Sequence, residues 1–194
     1  MTAETAVPDP RPTLTRALDQ IGGLVAAVEP AHLDRPTPCE GWTVRDLLGH
    51  LVTVHRRVAH VAVGGAVSDH PHITEVPDAE YAATVAADRA RLDEVWSDDA
   101  VLDRMLTVPW GTAPGRAVGW GYVQELTVHA WDLANPLGMT TELDPALAET
   151  VEPTARQMLP AEPRGGHVPF GPPVGVGDDA GPYVRLVAWL GRTP

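Results

Sequence analysis

Three residues of this chain have the types and spacing to do chemistry together: His50 in TVRDLLGHLV, and Glu125 with His129 in QELTVHAWDLA. Glu125 and His129 stand four apart in a segment that reads as a helix, so both project from one face a single turn apart. Apolar Val118, Tyr122, Leu126 and Leu133 recur on that face, which places a carboxylate and an imidazole in the stripe expected to turn inward. Burying an unpaired carboxylate costs several kcal/mol, a large share of a small domain's stability, so something must compensate it. Two imidazoles and one carboxylate form a complete protein ligand set for a catalytic divalent metal that keeps an open position for water.

The elements that must position these groups are read from hydrophobic period. After a Pro-rich lead over residues 7–12, Leu14, Leu18, Ile21, Val25 and Val28 mark a first helix that Pro30 halts. RPTPCEGW reads as a turn-rich loop. Thr43-x-x-Asp46 then has the form of a capping box opening a second helix, with Leu47, Leu51, Val54, Val58 and Val61 as its stripe and Gly64 and Gly65 at its end. On this helix His50 lies about 60° from Leu47 and about 40° from Val54, at the stripe's edge, where it can meet the Glu125/His129 pair. Residues 66–77 read as a loop, and Asp78 to Trp96 as a third helix carrying Tyr81, Val85, Leu92 and Val95. The run LTVPWGTAPG suggests a small hairpin near residues 106–115. A fourth helix, roughly Arg116 to Ala134, carries Glu125 and His129 and stops at Pro136 to Gly138. Leu143, Leu147, Val151, Ala155 and Met158 predict a fifth, and Tyr183 to Leu190 a short terminal helix after the irregular stretch Pro160 to Pro182. The expected fold is all-α: a four-helix bundle with short extra C-terminal helices, divided into a flexible lead (1–12), a metal-binding bundle (13–159) and an irregular C-terminal segment packed on it (160–194).

Other polar residues carry weaker signals. His55 lies about 140° round the helix from His50, so both cannot face one ion. His60 falls on the polar side, His70 and His72 form an H-P-H stretch read as surface loop, and His32 and His167 are expected to be exposed. Asp46, one turn before His50, and Asp132, three residues after His129, are candidates to accept a hydrogen bond from the far ring nitrogen and set the tautomer. Each has an ordinary alternative: Asp46 as a helix cap, Asp132 buried against Arg or Trp. Trp42, Trp110, Trp120 and Trp131 read as packing. Cys39 precedes a helix N-terminus, where a thiolate would be stabilised, though an inert thiol is the plainer reading.

A net charge of -12 and a pI near 4.9 argue against a phosphate-backbone partner and favour a small-molecule substrate by elimination. One cysteine excludes an intramolecular disulfide and fits a reducing cytoplasm. MTAETAVPDPRPTL has neither the basic start nor the apolar core of a signal peptide, and no apolar run approaches the roughly 18 residues of a membrane span. The expectation is a soluble cytoplasmic protein, monomer or homodimer, without nucleic-acid or membrane partners. Without a Ser-His-Asp set, a glycine-rich phosphate loop or a CxxC pair, the metal would have to carry the chemistry.

TPCEGWTVRDLLGHLV, with QELTVHAWDLA about 75 residues later, resembles the N-terminal domain of the mycothiol-dependent maleylpyruvate isomerases, within the DinB-like superfamily of metal-binding four-helix bundles. The ending FGPPVGVGDDAGPYVRLVAWLGRTP is similar to that of the single-domain actinobacterial branch, so the resemblance spans residues 13–193. It implies a zinc site whose ligands are the His of the DLLxHL helix and the Glu and His of the ELxxHxWDLA helix, here His50, Glu125 and His129, and it implies mycothiol as a co-substrate. One departure bears on the reaction. The isomerase carries a separate C-terminal domain that contributes an active-site arginine, whereas this chain ends about 35 residues past its fifth helix. Arg56, Arg57, Arg89 and Arg116 could each supply a cation instead. Three readings stay open: a metal-dependent thiol S-transferase or isomerase using a metal-activated thiol or water, a thiol-independent biosynthetic isomerase, lyase or cyclase, and a non-catalytic metal-binding bundle.

Overall fold

The computed structural model describes residues 7–164 and 170–194. In chain order the elements are α1 (Arg11–Ala26), α2 (Val44–Ala62), α3 (Tyr81–Trp96), a short α4 (Ala100–Asp103), a hairpin of β1 (Met105–Val108) and β2 (Gly111–Pro114), α5 (Gly115–Leu137), α6 (Pro145–Met158) and α7 (Pro182–Trp189). The class is all-α, as the sequence predicts. Helices α1, α3, α2 and α5 close a four-membered ring, each packing on the next, while α6 and α7 pack on each other and on α5.

The apolar stripes account for this packing. Leu14, Leu18 and Ile21 of α1, Leu47, Leu51 and Val58 of α2, Val85 and Leu92 of α3, and Val118, Leu126 and Leu133 of α5 share one core. Trp96 ties α3 to α2 by donating its indole N–H to the Val58 carbonyl at 3.0 Å. α5 departs from the single expected stripe. From Leu126 to Ala134 every residue is buried, because the bundle covers one side and α6 with α7 the other, the pattern of a helix enclosed all round.

Element ends differ from the sequence reading where prolines mislead. α1 begins at Arg11, inside the Pro-rich lead: Pro12 is tolerated in the first turn, and the Asp9 carboxylate accepts the Arg11 N–H at 2.9 Å. Pro10 is buried, and the Pro8 carbonyl accepts the Trp120 indole N–H at 3.0 Å, so this part of the lead is packed on α5. α5 runs through Pro136 and ends at Gly138, whose φ of 73° permits the left-handed cap. The third helix starts at Tyr81, after a 3-10 turn over Asp78–Glu80. His32, expected to be exposed, is half-buried because its Nδ1 accepts the Glu29 N–H at 3.1 Å. His167 lies outside the described residues. Among those residues no helix is long and apolar enough to cross a membrane.

α5 starts where the chain leaves the hairpin, and its first residue must be small. A Cβ on Gly115 would stand 1.9 Å from the Val101 carbonyl oxygen, a backbone atom that cannot swing aside. Gly115→Ala is expected to destabilise the protein by about 1–3 kcal/mol, as overpacking does, and to lower Tm by about 2–4 °C per kcal/mol. Thermal unfolding monitored by circular dichroism checks this; an unchanged Tm would contradict the packing described.

Candidate metal centre

Helix α2 presents His50, only 4% exposed, across the bundle to α5. The fold brings the three predicted residues together: one donor atom each from His50, Glu125 and His129 lie within 4.8 Å of one another. His50 Nε2 is 3.3 Å from Glu125 Oε1, and His129 Nε2 is 3.5 Å from the same oxygen.

Each imidazole is oriented from behind. His50 Nδ1 donates to the His72 carbonyl at 3.0 Å, since a carbonyl can only accept. His129 Nδ1 donates to Asp132 Oδ2 at 2.9 Å. With Nδ1 carrying a proton in both rings, each Nε2 aims a lone pair at Glu125, itself an acceptor, whenever no second proton sits on the ring. Three acceptors facing one point repel unless a cation lies among them, either a shared proton or a metal ion. The two separations match the roughly 3.3–3.4 Å edge of a tetrahedron with metal–ligand bonds of about 2.0–2.1 Å. A set of two nitrogens and one oxygen also suits zinc.

Of the two residues expected behind the ligands, one is where the sequence places it. Asp132, fully buried, accepts from His129 and also from Arg192, whose Nε and Nη2 donate at 2.6 and 2.7 Å. Asp46 does not reach His50. Its Oδ2 accepts the backbone N–H and hydroxyl of Thr43 at 2.8 and 2.6 Å, which makes it the cap of α2, and the His72 carbonyl takes the place assigned to it. That carbonyl is brought near by a glycine: a Cβ on Gly49 would meet Ile73 Cγ2 and the Thr74 oxygen at 2.7 Å, and Gly49 O accepts the Thr74 N–H at 3.1 Å.

The three residues stand at the wall of a cavity of about 510 Å³, lined also by Cys39, Trp42, His72, Gln124, Phe170 and Arg192. Trp42 meets the rings of His50 and His72 edge-on at 5.0 and 5.3 Å, so it is cavity wall, whereas Trp131 is core and Trp110 sits against Tyr122. His72, read from sequence as a remote surface loop, packs its ring 4.8 Å from that of His50. Arg56, Arg57, Arg89 and Arg116 do not line the cavity; three pair with Asp88, Asp93 and Asp103, and Arg57 holds the carbonyls of His70 and Pro71. The arginine beside the centre is Arg192, which sequence reasoning missed because its partner Asp132 is 60 positions away. Cys39 donates its S–H to Asp132 Oδ2 at 3.2 Å. Cys39, His129 and Asp132 also form a compact donor group, but Arg192 occupies both Asp132 oxygens, which makes this group a hydrogen-bond network.

The architecture is that of a helical bundle with a three-residue centre shared by two helices and open to a cavity. Residues 14–134 match the family described as the mycothiol maleylpyruvate isomerase N-terminal domain, and the chain belongs to that family. It is 33% identical over 185 residues to an uncharacterized protein of Mycobacterium tuberculosis, known from strains CDC 1551 and H37Rv, the match covering 95% of this chain and 98% of the relative. The fold is shared with the crystal structure of the mycothiol-dependent maleylpyruvate isomerase, with a TM-score of 0.60 at 16% identity over 76% of this chain and 70% of that one. A histidine-to-alanine mutant of that enzyme gives 0.63 at 15% identity over 81% and 74%.

The electrostatics set a pH dependence. Burial pushes the Asp132 carboxyl up, but hydrogen bonds and charge from His129 and Arg192 outweigh it and bring it down to about 2. Burial likewise raises Glu125 and lowers His129. Hydrogen bonds from His129 and His50 nonetheless hold the Glu125 carboxyl well below its usual range, and those to Asp132, Cys39 and Glu125 hold the His129 imidazole well above its own. A depressed carboxylate stabilises the fold above its unfolded value, about 3.9 for Asp, and loses that contribution as pH falls through the folded value. A raised imidazole in the metal-free protein contributes fully below about 6.5 and loses its contribution as pH climbs through the folded value. Stability should therefore fall steeply between about pH 5 and pH 2, and Asp132→Asn should flatten that limb. Denaturant unfolding at a series of pH values measures it; an acid limb of equal slope in Asp132→Asn would contradict the assignment.

Proposed function

We propose that this protein is a metal-dependent enzyme acting on a small organic substrate, with a low-molecular-weight thiol of the mycothiol kind as co-substrate, in isomerase or S-transfer chemistry. The metal, zinc by donor type, would be held by His50, Glu125 and His129. The observation that carries this reading is the convergence of three acceptor atoms, two of them imidazole nitrogens fixed from behind, at the wall of an open cavity. An open position favours a catalytic over a structural role, since structural zinc is usually four-coordinate and closed. The family's thiol-dependent namesake favours the thiol.

An ion bound there would supply Lewis acidity, lowering the proton affinity of a thiol or water and polarising a carbonyl. The chain's own residues do the rest. Trp42, Val128 and Phe170 supply apolar wall against which a substrate can shed water. Gln124 lines the cavity with a side-chain oxygen that lacks a protein partner among the described residues, free to accept an N–H or O–H of a bound molecule. Residues 13–159 form the metal-binding bundle in this reading, and 160–194 the irregular segment packed on it, of which Phe170, Gly171 and Arg192 reach the cavity. The single cysteine and the charge of -12 fit a cytoplasmic protein with no nucleic-acid partner.

Elemental analysis of the purified protein should find about one zinc per chain, and His50→Ala and His129→Ala should each lose most of it, given the 10–100-fold loss that disturbing even the surroundings of a metal ligand brings. Equal metal content in the variants would refute the site. Turnover of candidate electrophiles should require the thiol; turnover indifferent to thiol would instead favour the thiol-independent isomerase, lyase or cyclase.

A further inference from the structure

Helix α7 ends in a turn that aims one side chain. Its cap is Leu190, and next comes Gly191 at a φ of 83°. The Gly191 N–H donates to the Ala188 carbonyl at 3.1 Å and the Arg192 N–H to the Val187 carbonyl at 3.0 Å, the paired bonds of a glycine-terminated helix end. Glycine is required twice over at 191: the backbone is left-handed, and a Cβ would stand 2.6 Å from the Gly171 oxygen. The turn delivers the Arg192 side chain, 13% exposed, onto Asp132, which is 0% exposed, in a fork that engages both carboxylate oxygens. Asp132 Oδ2 is the same atom that accepts the His129 Nδ1 proton.

We infer that Arg192 is a positioning residue of the centre: by clamping Asp132 it fixes the rotation of the His129 ring, so that the C-terminal turn, outside the bundle, completes the site. Asp132 alone could turn about its side-chain bonds and offer His129 either oxygen or neither. With Oδ1 held by Nε and Oδ2 by Nη2, the carboxylate plane is set, and Oδ2 faces the imidazole of His129 and the thiol of Cys39 from a fixed position. Through Nε and Nη2 the fork of Arg192 is committed to Asp132. The inference rests on the metal reading for its affinity readout, and on the His129–Asp132 bond alone for its spectroscopic one.

The test compares the full-length chain with Arg192→Met, Arg192→Lys, Asp132→Asn and the double variant Arg192→Met/Asp132→Asn, the last keeping a folded reference in which the buried carboxylate is not left uncompensated. Zinc affinity, by competition with a chromophoric chelator, should fall about 10-fold in Arg192→Met and recover in large part in Arg192→Lys. In the Asp132→Asn background, removing Arg192 should change it less than about twofold, because the two act as one unit. The hydrogen-bonded His129 Nδ1 proton should give a downfield, slowly exchanging resonance in the metal-free protein and vanish in Arg192→Met. Unchanged zinc affinity in Arg192→Met, or an equal loss in both backgrounds, would overturn the inference. If the parent protein binds no zinc, the metal reading fails and the proton decides: its persistence in Arg192→Met overturns the clamp, its loss supports it.

Discussion

Two protons and their acceptors organise this centre. The Nδ1 proton of His50 goes to a backbone carbonyl and that of His129 to a buried carboxylate, and both choices turn the opposite ring nitrogens toward Glu125. Three acceptors facing one point would repel by themselves, so the centre needs a cation among them, a shared proton or a metal ion. The ordinary preference of a folded chain is that each acceptor is matched to a donor, and the centre departs from it.

The surrounding architecture serves that point. Long helices hold the three side chains, and helices are stiffer supports than loops. α2 is capped by Thr43 and Asp46, which fixes where His50 falls along its length. Gly49, one residue before His50, lets the 72–74 stretch approach closely enough for a carbonyl to reach the ring. On the other side α6 and α7 enclose α5, and this is why Asp132 is wholly buried and its charge must be met by Arg192. The bundle and the C-terminal helices therefore share one task, holding two imidazoles still.

Membership of the mycothiol maleylpyruvate isomerase N-terminal domain family accounts for the bundle over residues 14–134. The C-terminal segment beyond it gives this chain its own character: Phe170 and Arg192 line the same cavity as the three candidate ligands. The Mycobacterium tuberculosis relative matches 95% of the chain at 33% identity, so its likeness to this chain extends beyond residue 134.

Residue types at helical spacing are enough to predict four bundle helices and the grouping of His50 with Glu125 and His129, because these rest on local periodicity and on the cost of burying charge, and the hairpin is legible from its apolar run and turn residues. Helix ends near prolines are harder to read, since Pro12 sits in a first turn where backbone bonds are missing anyway, and α5 continues through Pro136 close to its end. The surroundings of the centre are only half legible. Asp132 can be anticipated from its offset of three from His129, whereas the same argument applied to Asp46 points to the wrong acceptor, because the Thr43 cap, three residues away in the chain, satisfies that carboxylate first. His72, Trp42 and Arg192 are settled by tertiary structure alone: a loop folded back over Gly49 and a helix-end turn at Gly191 bring together groups far apart in the chain, and long-range approach leaves no periodic trace in sequence.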